Sequence, residues 1–268
     1  GNGHMFAVAN AFNPADYYRV PEWVRGYFCN AFWSSDLGGF VTGNGLPSFV
    51  DRECGPLAGS FGVVAHELGH GLTRATSNLQ YRNESGALNE AFSDILANAA
   101  SWFHEQNNSG LPYAVNYRLG EAVIPGGIRD MADPTIFNHP NHYGARLMPV
   151  IIDGFSVDHG WVHRNSSIIN HAYYLAIEGG VHKTSGKRVT GVGAARRAEI
   201  EQAFYRAFVY KLTRTSVMRN ARFWTIDQAT TAGARTAIRE AWDAVGVNEN
   251  QQVSVQLRNV ARSKPGYV

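Results

Sequence analysis

The sequence predicts an α+β chain, a small β-leaning N-terminal part followed by a larger, mainly α-helical one. Three observations carry this. Turn formers crowd the first sixty positions, as in Gly38-Gly39, Gly43-Asn44-Gly45-Leu46-Pro47 and Cys54-Gly55-Pro56, with only short apolar runs between them. From Phe61 onward, apolar residues recur at helical spacing. After an irregular stretch over 105–160, rich in Gly, Pro, Asn and His, helical periodicity returns. The 268 residues suffice for a sizeable core, and 44% hydrophobic with 12% aromatic content excludes a disordered chain. No apolar run approaches the about 18 residues that a transmembrane helix needs. A net charge of +2 gives no ground for a nucleic-acid or membrane-binding surface.

Element by element, residues 1–60 read as short strands and loops. Val63, Val64, Leu68 and Leu72 predict a helix over 61–73. A loop follows around 78–86. Leu88, Ala91, Phe92, Ile95, Leu96 and Ala99 predict a second helix over 87–103. Four further helices are expected at about 165–178, 193–212, 215–231 and 232–245. The alternation Val253-Ser254-Val255-Gln256-Leu257 reads as an added strand or a frayed end. The expected organisation is an N-terminal lobe over 1–64, a helical lobe over 65–248 and a tail over 249–268. Cys29 and Cys54 are too few for a disulfide-built scaffold and could form one bridge or remain two buried thiols.

The chemistry concentrates in His66-Glu67-Leu68-Gly69-His70, an H-E-x-x-H on the first predicted helix. Residues four apart share a helical face, so both imidazoles can reach one metal. Glu67 sits about 100° round the helix from His66, poorly placed to ligate beside both histidines but well placed to hold a water. Glu90, on the second helix, supplies a third ligand. Asp94, four residues further along, shares its face and can accept a hydrogen bond from the second nitrogen of His66. Three protein ligands with an open fourth position are the pattern of a catalytic zinc. Such an ion lowers the pKa of a bound water to about 7, and Glu67 can take its proton as general base.

The sequence resembles the thermolysin-like neutral zinc metalloendopeptidases from about 30 to 247. The resemblance rests on His66–His70, on Gly86-Ala87-Leu88-Asn89-Glu90-Ala91-Phe92-Ser93-Asp94, and on four further segments in the family's order. These are Asn30-Ala31-Phe32-Trp33, Tyr81-Arg82-Asn83-Glu84-Ser85-Gly86, Ile128-Arg129-Asp130-Met131, and Asp158-His159-Gly160-Trp161-Val162-His163-Arg164-Asn165-Ser166. It implies a zincin-type fold with the active-site helix between two lobes, and cleavage of protein or peptide substrates before hydrophobic residues. It further implies that Asn30 and Ala31 pair with substrate backbone, and that Tyr81 and His163 stabilise the transition state. Asp158 would orient His163, and Arg129 would hold a substrate carbonyl. Leu57, Val63, Leu119, Val123 and Ile128 match the walls of the pocket for the side chain after the cleaved bond.

The match also breaks. The family's N-terminal β-rich lobe is much longer than the segment before His66. Its calcium-binding carboxylates correspond here to Gly62, Ser101, Asn116, Arg118 and Glu121, a set with a single carboxylate, so zinc is expected as the only metal and calcium to be absent. No signal-peptide pattern opens the chain, yet the resemblance implies a secreted or extracellular protein. Rival expectations are a zinc aminopeptidase and an inactive or zinc-stabilised interaction module. No feature sets an oligomeric state.

Overall fold

The computed structural model describes residues 6–9, 11–46, 53–107, 110, 115–249 and 258–259. The alternation at 253–257 lies outside them. The chain opens with β1 (Phe6–Val8), a short helix α1 (Glu22–Arg25), β2 (Ala31–Ser34) and β3 (Gly39–Thr42). These strands form one sheet in the order β1-β3-β2, with β1 parallel and β2 antiparallel to β3. Among the described residues β2 is therefore a sheet edge, and one side of its backbone is open to an added strand. A small apolar cluster of Phe28, Leu46, Cys54, Leu57 and Val123 lies beneath this part, and a disulfide joins Cys29 to Cys54.

Helix α2 (Phe61–Ala75) starts where Ser60 Oγ accepts a hydrogen bond from Val63 N, satisfying one of the free N–H groups of the first turn. Helix α3 (Asn83–Gln106) packs against it at short range. A Cβ on Gly69 would lie 2.8 Å from Ser93 Cα, so only glycine lets the two backbones approach this closely. The ladder β4–β5 (Arg118–Leu119, Arg129–Asp130) and the hairpin β6–β7 (Val150–Ile152, Phe155–Ser156) lie in the stretch read as irregular. Then come α4 (Asp158–Glu178), the hairpin β8–β9 (Gly180–Val181, Arg188–Val189), α5 (Arg197–Tyr210), α6 (Met218–Asp227) and α7 (Ala232–Ala244). β10 (Arg258–Asn259) pairs in parallel with β6.

The main core fills the space between α3, α4, α5 and α7, with Leu88, Phe92, Ile168, Ile169, Tyr173, Phe204, Phe208 and Trp242 fully buried. Phe92 stacks on Phe208 at 4.8 Å between ring centroids, and emptying that position to alanine would cost about 3–5 kcal/mol. This core holds α3 and α4 rigid, and the candidate site lies along their edges. No helix of the described residues is long and apolar enough to cross a membrane.

Several helix starts differ from the sequence expectation: α5 begins at Arg197 rather than about 193 and α6 at Met218 rather than about 215, and the starts of α3 and α4 shift for reasons the packing shows. α3 begins at Asn83 rather than near 87, because the residues read as loop find distant partners. Glu84 accepts hydrogen bonds from the Tyr143 hydroxyl at 2.7 Å and Met218 N at 3.1 Å, and Ser85 Oγ donates to Ser216 O at 2.9 Å. α4 is regular from Val162, but four residues before it have positive φ: Asp158 46°, His159 49°, Gly160 93° and Trp161 65°. Non-glycine residues adopt this left-handed form at a cost of about 1–2 kcal/mol each. Gly160 backs directly onto Asn83, whose Oδ1 would lie 2.2 Å from a Cβ there.

Candidate active site

His66 and His70 stand one turn apart on α2, and Glu90 reaches them from α3. His66 Nε2 lies 3.5 Å from Glu90 Oε2, and His70 Nε2 lies 3.4 Å from Glu90 Oε1. Tetrahedral zinc ligands at about 2.0–2.1 Å from the ion would stand roughly 3.3 Å apart. Glu90 is fully buried, and its Oε2 has no hydrogen-bond partner, an expensive arrangement unless a cation takes that lone pair. Donor types, spacing and the unpartnered oxygen therefore all fit zinc. Among the described residues this is the one group of three such side chains with ligand atoms within 4.8 Å of one another.

The far side of each imidazole is also held. Asp94 Oδ1 lies 2.8 Å from His66 Nδ1, and Asn89 Oδ1 lies 2.7 Å from His70 Nδ1. Asn89 Nδ2 donates to Leu79 O at 3.3 Å, which fixes its amide so that the oxygen faces His70. Both Nδ1 atoms then carry the proton, and both Nε2 lone pairs face the metal position. Asp94 is a junction as well. Arg129 donates to it through Nε at 2.8 Å and a terminal nitrogen at 2.7 Å, and Asn170 Nδ2 adds a third bond at 2.8 Å. Burial alone would raise the Asp94 pKa, but Arg129 and His66 overcome it and hold it at about 2.

Glu67 lies on the same helix, 5% exposed, with Oε2 unpartnered. Burial pushes its carboxyl above the usual range, against the pull of His66 and His70. Tyr81 is the last residue but one before α3, and its hydroxyl donates to Glu90 Oε1 and lies 3.0 Å from His163 Nε2. Asp158 Oδ1 lies 2.5 Å from His163 Nδ1, and Asp158 Oδ2 accepts from His163 N at 3.2 Å. The left-handed turn makes this possible by folding Asp158 back over the start of the regular helix. His159, emerging from the same turn, packs its ring 5.3 Å from that of Tyr81.

A cleft of about 610 Å³ runs past these groups. Asn30, Ala31, Phe32 and Trp33, at and just before β2, line it. Leu57, Val63, Leu119, Val123 and Ile128 line it too, and Leu57 and Val123 double as members of the small N-terminal core. Arg129 lines the cleft while two of its nitrogens are engaged by Asp94. The structure thus brings every residue singled out in the sequence to one cleft or, for Asp158, directly behind it. Asn165, in the same segment as His163, does not line the cleft; its amide is used at both ends by the backbone of Leu147, at 2.8 Å and 2.9 Å. Asn89 and Asn170 escaped the sequence reading. Asn89 could have been found, since it sits beside Glu90 on a helix facing His70; Asn170 gives no signal without the packing of α4 on α3.

Residues 77–247 match the family described as thermolysin metallopeptidase, alpha-helical domain. Thermolysin of Alicyclobacillus acidocaldarius subsp. acidocaldarius is 37% identical over 233 residues, covering 83% of this chain and 38% of its own length. Bacillolysin of Bacillus caldolyticus is 36% identical over the same span, and bacillolysin of Brevibacillus brevis is 37% identical over 228 residues, 81% of this chain. Among solved structures, the precursor of protealysin, a metalloproteinase from Serratia proteamaculans, superposes with a TM-score of 0.61 at 23% identity, covering 82% of this chain and 65% of that one, a likeness of fold. With the two-helix group of His66, His70 and Glu90, these matches define an α+β metallopeptidase fold of the zincin type. The chain belongs to the thermolysin family of zinc metallopeptidases. It spans under two fifths of the length of the curated relatives it matches.

Proposed function

We propose that this chain is the catalytic part of a secreted zinc endopeptidase that cuts proteins or peptides on the N-terminal side of hydrophobic residues. The observation that supports this best is Glu67. It is a buried acid beside His66, His70 and Glu90 that is not itself in the ligand cluster, and a merely structural zinc site has no use for it.

His66, His70 and Glu90 would hold the ion, which when bound polarises the scissile carbonyl and acidifies a water. Glu67 takes the proton of the attacking water and delivers it to the leaving amine. Tyr81 and His163 donate hydrogen bonds to the oxygen on which negative charge develops. Asp158 keeps the second ring nitrogen of His163 protonated and its ring oriented. Ala31, with Asn30 beside it, offers backbone groups at the open edge of β2, so the substrate adds as an extended strand with little demand on its sequence. Arg129 braces Asp94 and presents its remaining donor face to the cleft. Leu57, Val63, Leu119, Val123 and Ile128 form the apolar receptacle for the side chain after the cleaved bond.

Zinc is the single required metal in this reading, and calcium is dispensable. At the positions corresponding to the family's calcium carboxylates, Glu121 is bonded to Asn116 Nδ2 at 2.7 Å and to Arg118 at 3.1 Å, and Arg118 reaches on to Asp130 at 3.2 Å. The test of the reading is Glu67→Gln. Zinc content should stay at one ion per chain while cleavage of an unfolded protein falls on the order of 10²–10⁴-fold. Near-normal cleavage with zinc retained, or cleavage by the unmodified chain that survives a zinc chelator, would refute it.

A further inference from the structure

The two ends of the cleft differ in charge, and the difference follows α2. Val63, near its start, borders the apolar receptacle with Leu57 and Val123. Arg74, eleven positions on, lines the cleft about 16 Å further along the axis. β2 runs over α2 in the same sense: Ala31 packs with Val63 on the small core, whereas Trp33 lies over Gly71. A peptide strand laid on the open edge of β2 therefore passes from the apolar receptacle, across the zinc position, to Arg74.

A second arginine joins Arg74 there. Gln80 N donates to Arg214 O at 2.8 Å, which places Arg214 beside the Tyr81 segment, and Arg214 lines the same cleft. Both side chains are exposed. Arg74 donates to the neutral Asn78 Oδ1 at 2.7 Å, and among the described residues neither arginine has a carboxylate partner. Of the carboxylates lining the cleft, Glu67, Glu90 and Asp94 belong to the zinc position, and Glu121 is paired with Arg118 on the apolar side. Two guanidinium groups without a carboxylate partner among the described residues thus line a groove whose other polar lining at this end, Ser35, Asn78 and Gln80, is neutral.

We infer that Arg74 and Arg214 select substrates carrying an acidic residue ahead of the cleaved bond. This rests on the peptidase reading above, which seats the residue after the bond in the apolar receptacle, so that the residues before it extend toward Arg74. Arg74 lies about 6 Å beyond His70 along α2, and an extended chain rises about 3.3 Å per residue, so the position read is the second before the bond, with the third also in reach. Guanidinium groups suit this task, because their planar fork matches a carboxylate at two points and keeps its charge at any working pH.

The test uses two quenched fluorescent peptides with the same hydrophobic residue after the bond, differing only in Glu or Lys at the second and third positions before it. With the zinc-loaded full chain at low ionic strength, kcat/KM for the Glu peptide should exceed that for the Lys peptide about tenfold. The ratio should shrink toward one in about 0.5 M salt, which screens exposed charges. In the double variant Arg74→Ser, Arg214→Ser it should fall to within about twofold of one at low salt; being a ratio, it does not depend on how much of the variant folds. A ratio near one in the unmodified chain, or a tenfold ratio that persists in the double variant, would overturn the inference while leaving the peptidase reading intact. Cleavage of neither peptide, or chelator-resistant cleavage, would bring down both.

Discussion

His66 and Asp94 face each other across the α2–α3 contact, with His66 Nδ1 2.8 Å from Asp94 Oδ1, while Arg129 grips the same carboxylate from behind. The proposed zinc ligand is thus tied through one carboxylate to β5 and, through Asn170, to α4. Groups that orient a ligating histidine typically govern metal affinity 10–100-fold. Asp94→Asn should weaken zinc binding by about that factor, read by competition with a chromophoric chelator. It also leaves the buried Arg129 without its counter-charge, which costs several kcal/mol. Asn89→Ala is the gentler partner: it removes the neutral acceptor of His70 Nδ1, and about tenfold weaker zinc is expected from a chain that still folds. Unchanged zinc affinity in both variants would mean that these contacts do not position the histidines.

Tyr81 and His163 touch each other at 3.0 Å and both approach the Glu90 carboxylate. If both serve the developing charge, Tyr81→Phe and His163→Ala should each lower kcat by about 10–1000-fold with little change in KM. Because they act on one oxygen, the double variant should lose less than the product of the single losses. Steady-state kinetics on one peptide decide it, and a defect confined to KM in both variants would reassign them to plain binding.

The Cys29–Cys54 bridge closes a loop of 25 residues, directly before β2 at one end and before Leu57 at the other. Loop-closure entropy gives about 3.5 kcal/mol of stabilisation. Paired Cys29→Ala and Cys54→Ala substitutions should lower the thermal midpoint on the order of 10 °C. With β2 bordering the substrate as proposed, KM should rise as well, since the bridge anchors the chain next to that strand. A melting curve superimposable on that of the unmodified chain would show that the N-terminal part is secured otherwise.

Calcium should be without effect on folding or activity. Besides the contacts of Glu121, Asp130 Oδ1 already accepts from Ala132 N at 2.7 Å and Asp133 N at 3.0 Å, and Arg118 sits between the two carboxylates as a fixed cation. A calcium ion would need 6–8 oxygens and would meet that guanidinium at short range. Thermal unfolding in a calcium-selective chelator at constant zinc tests this. A large drop in midpoint, reversed by added calcium, would reveal oxygen ligands outside this cluster.

The candidate metal triad was legible because it rests on helix geometry alone: four-residue spacing on α2, and an acid with a partner four residues on in α3. The segments holding Tyr81, Arg129 and His163 were legible only through family resemblance, since each is a single residue in irregular chain. What escaped depends on contacts between elements distant in sequence. The early start of α3 is set by Tyr143, Ser216 and Met218, all far along the chain. Asp130, hidden beside Arg129 in the same segment, shows its bond to Arg118 only once β4 and β5 are paired. The reversal of handedness at 158–161 has one glycine to announce it and three residues that ordinarily avoid it.

Heat should wear the two halves of this site at different rates. His66, His70 and Glu90 stand on two regular helices that meet backbone to backbone at Gly69 and Ser93, so their mutual placement lasts as long as the main core does. His163 owes its place to a short turn of reversed handedness at 158–161, the sort of segment that opens locally long before a domain melts. Its excursions would carry off His163 and leave the metal cradle undisturbed. A warmed sample would then fall silent with its zinc still bound, and on cooling, activity would return as fast as one turn can rewind.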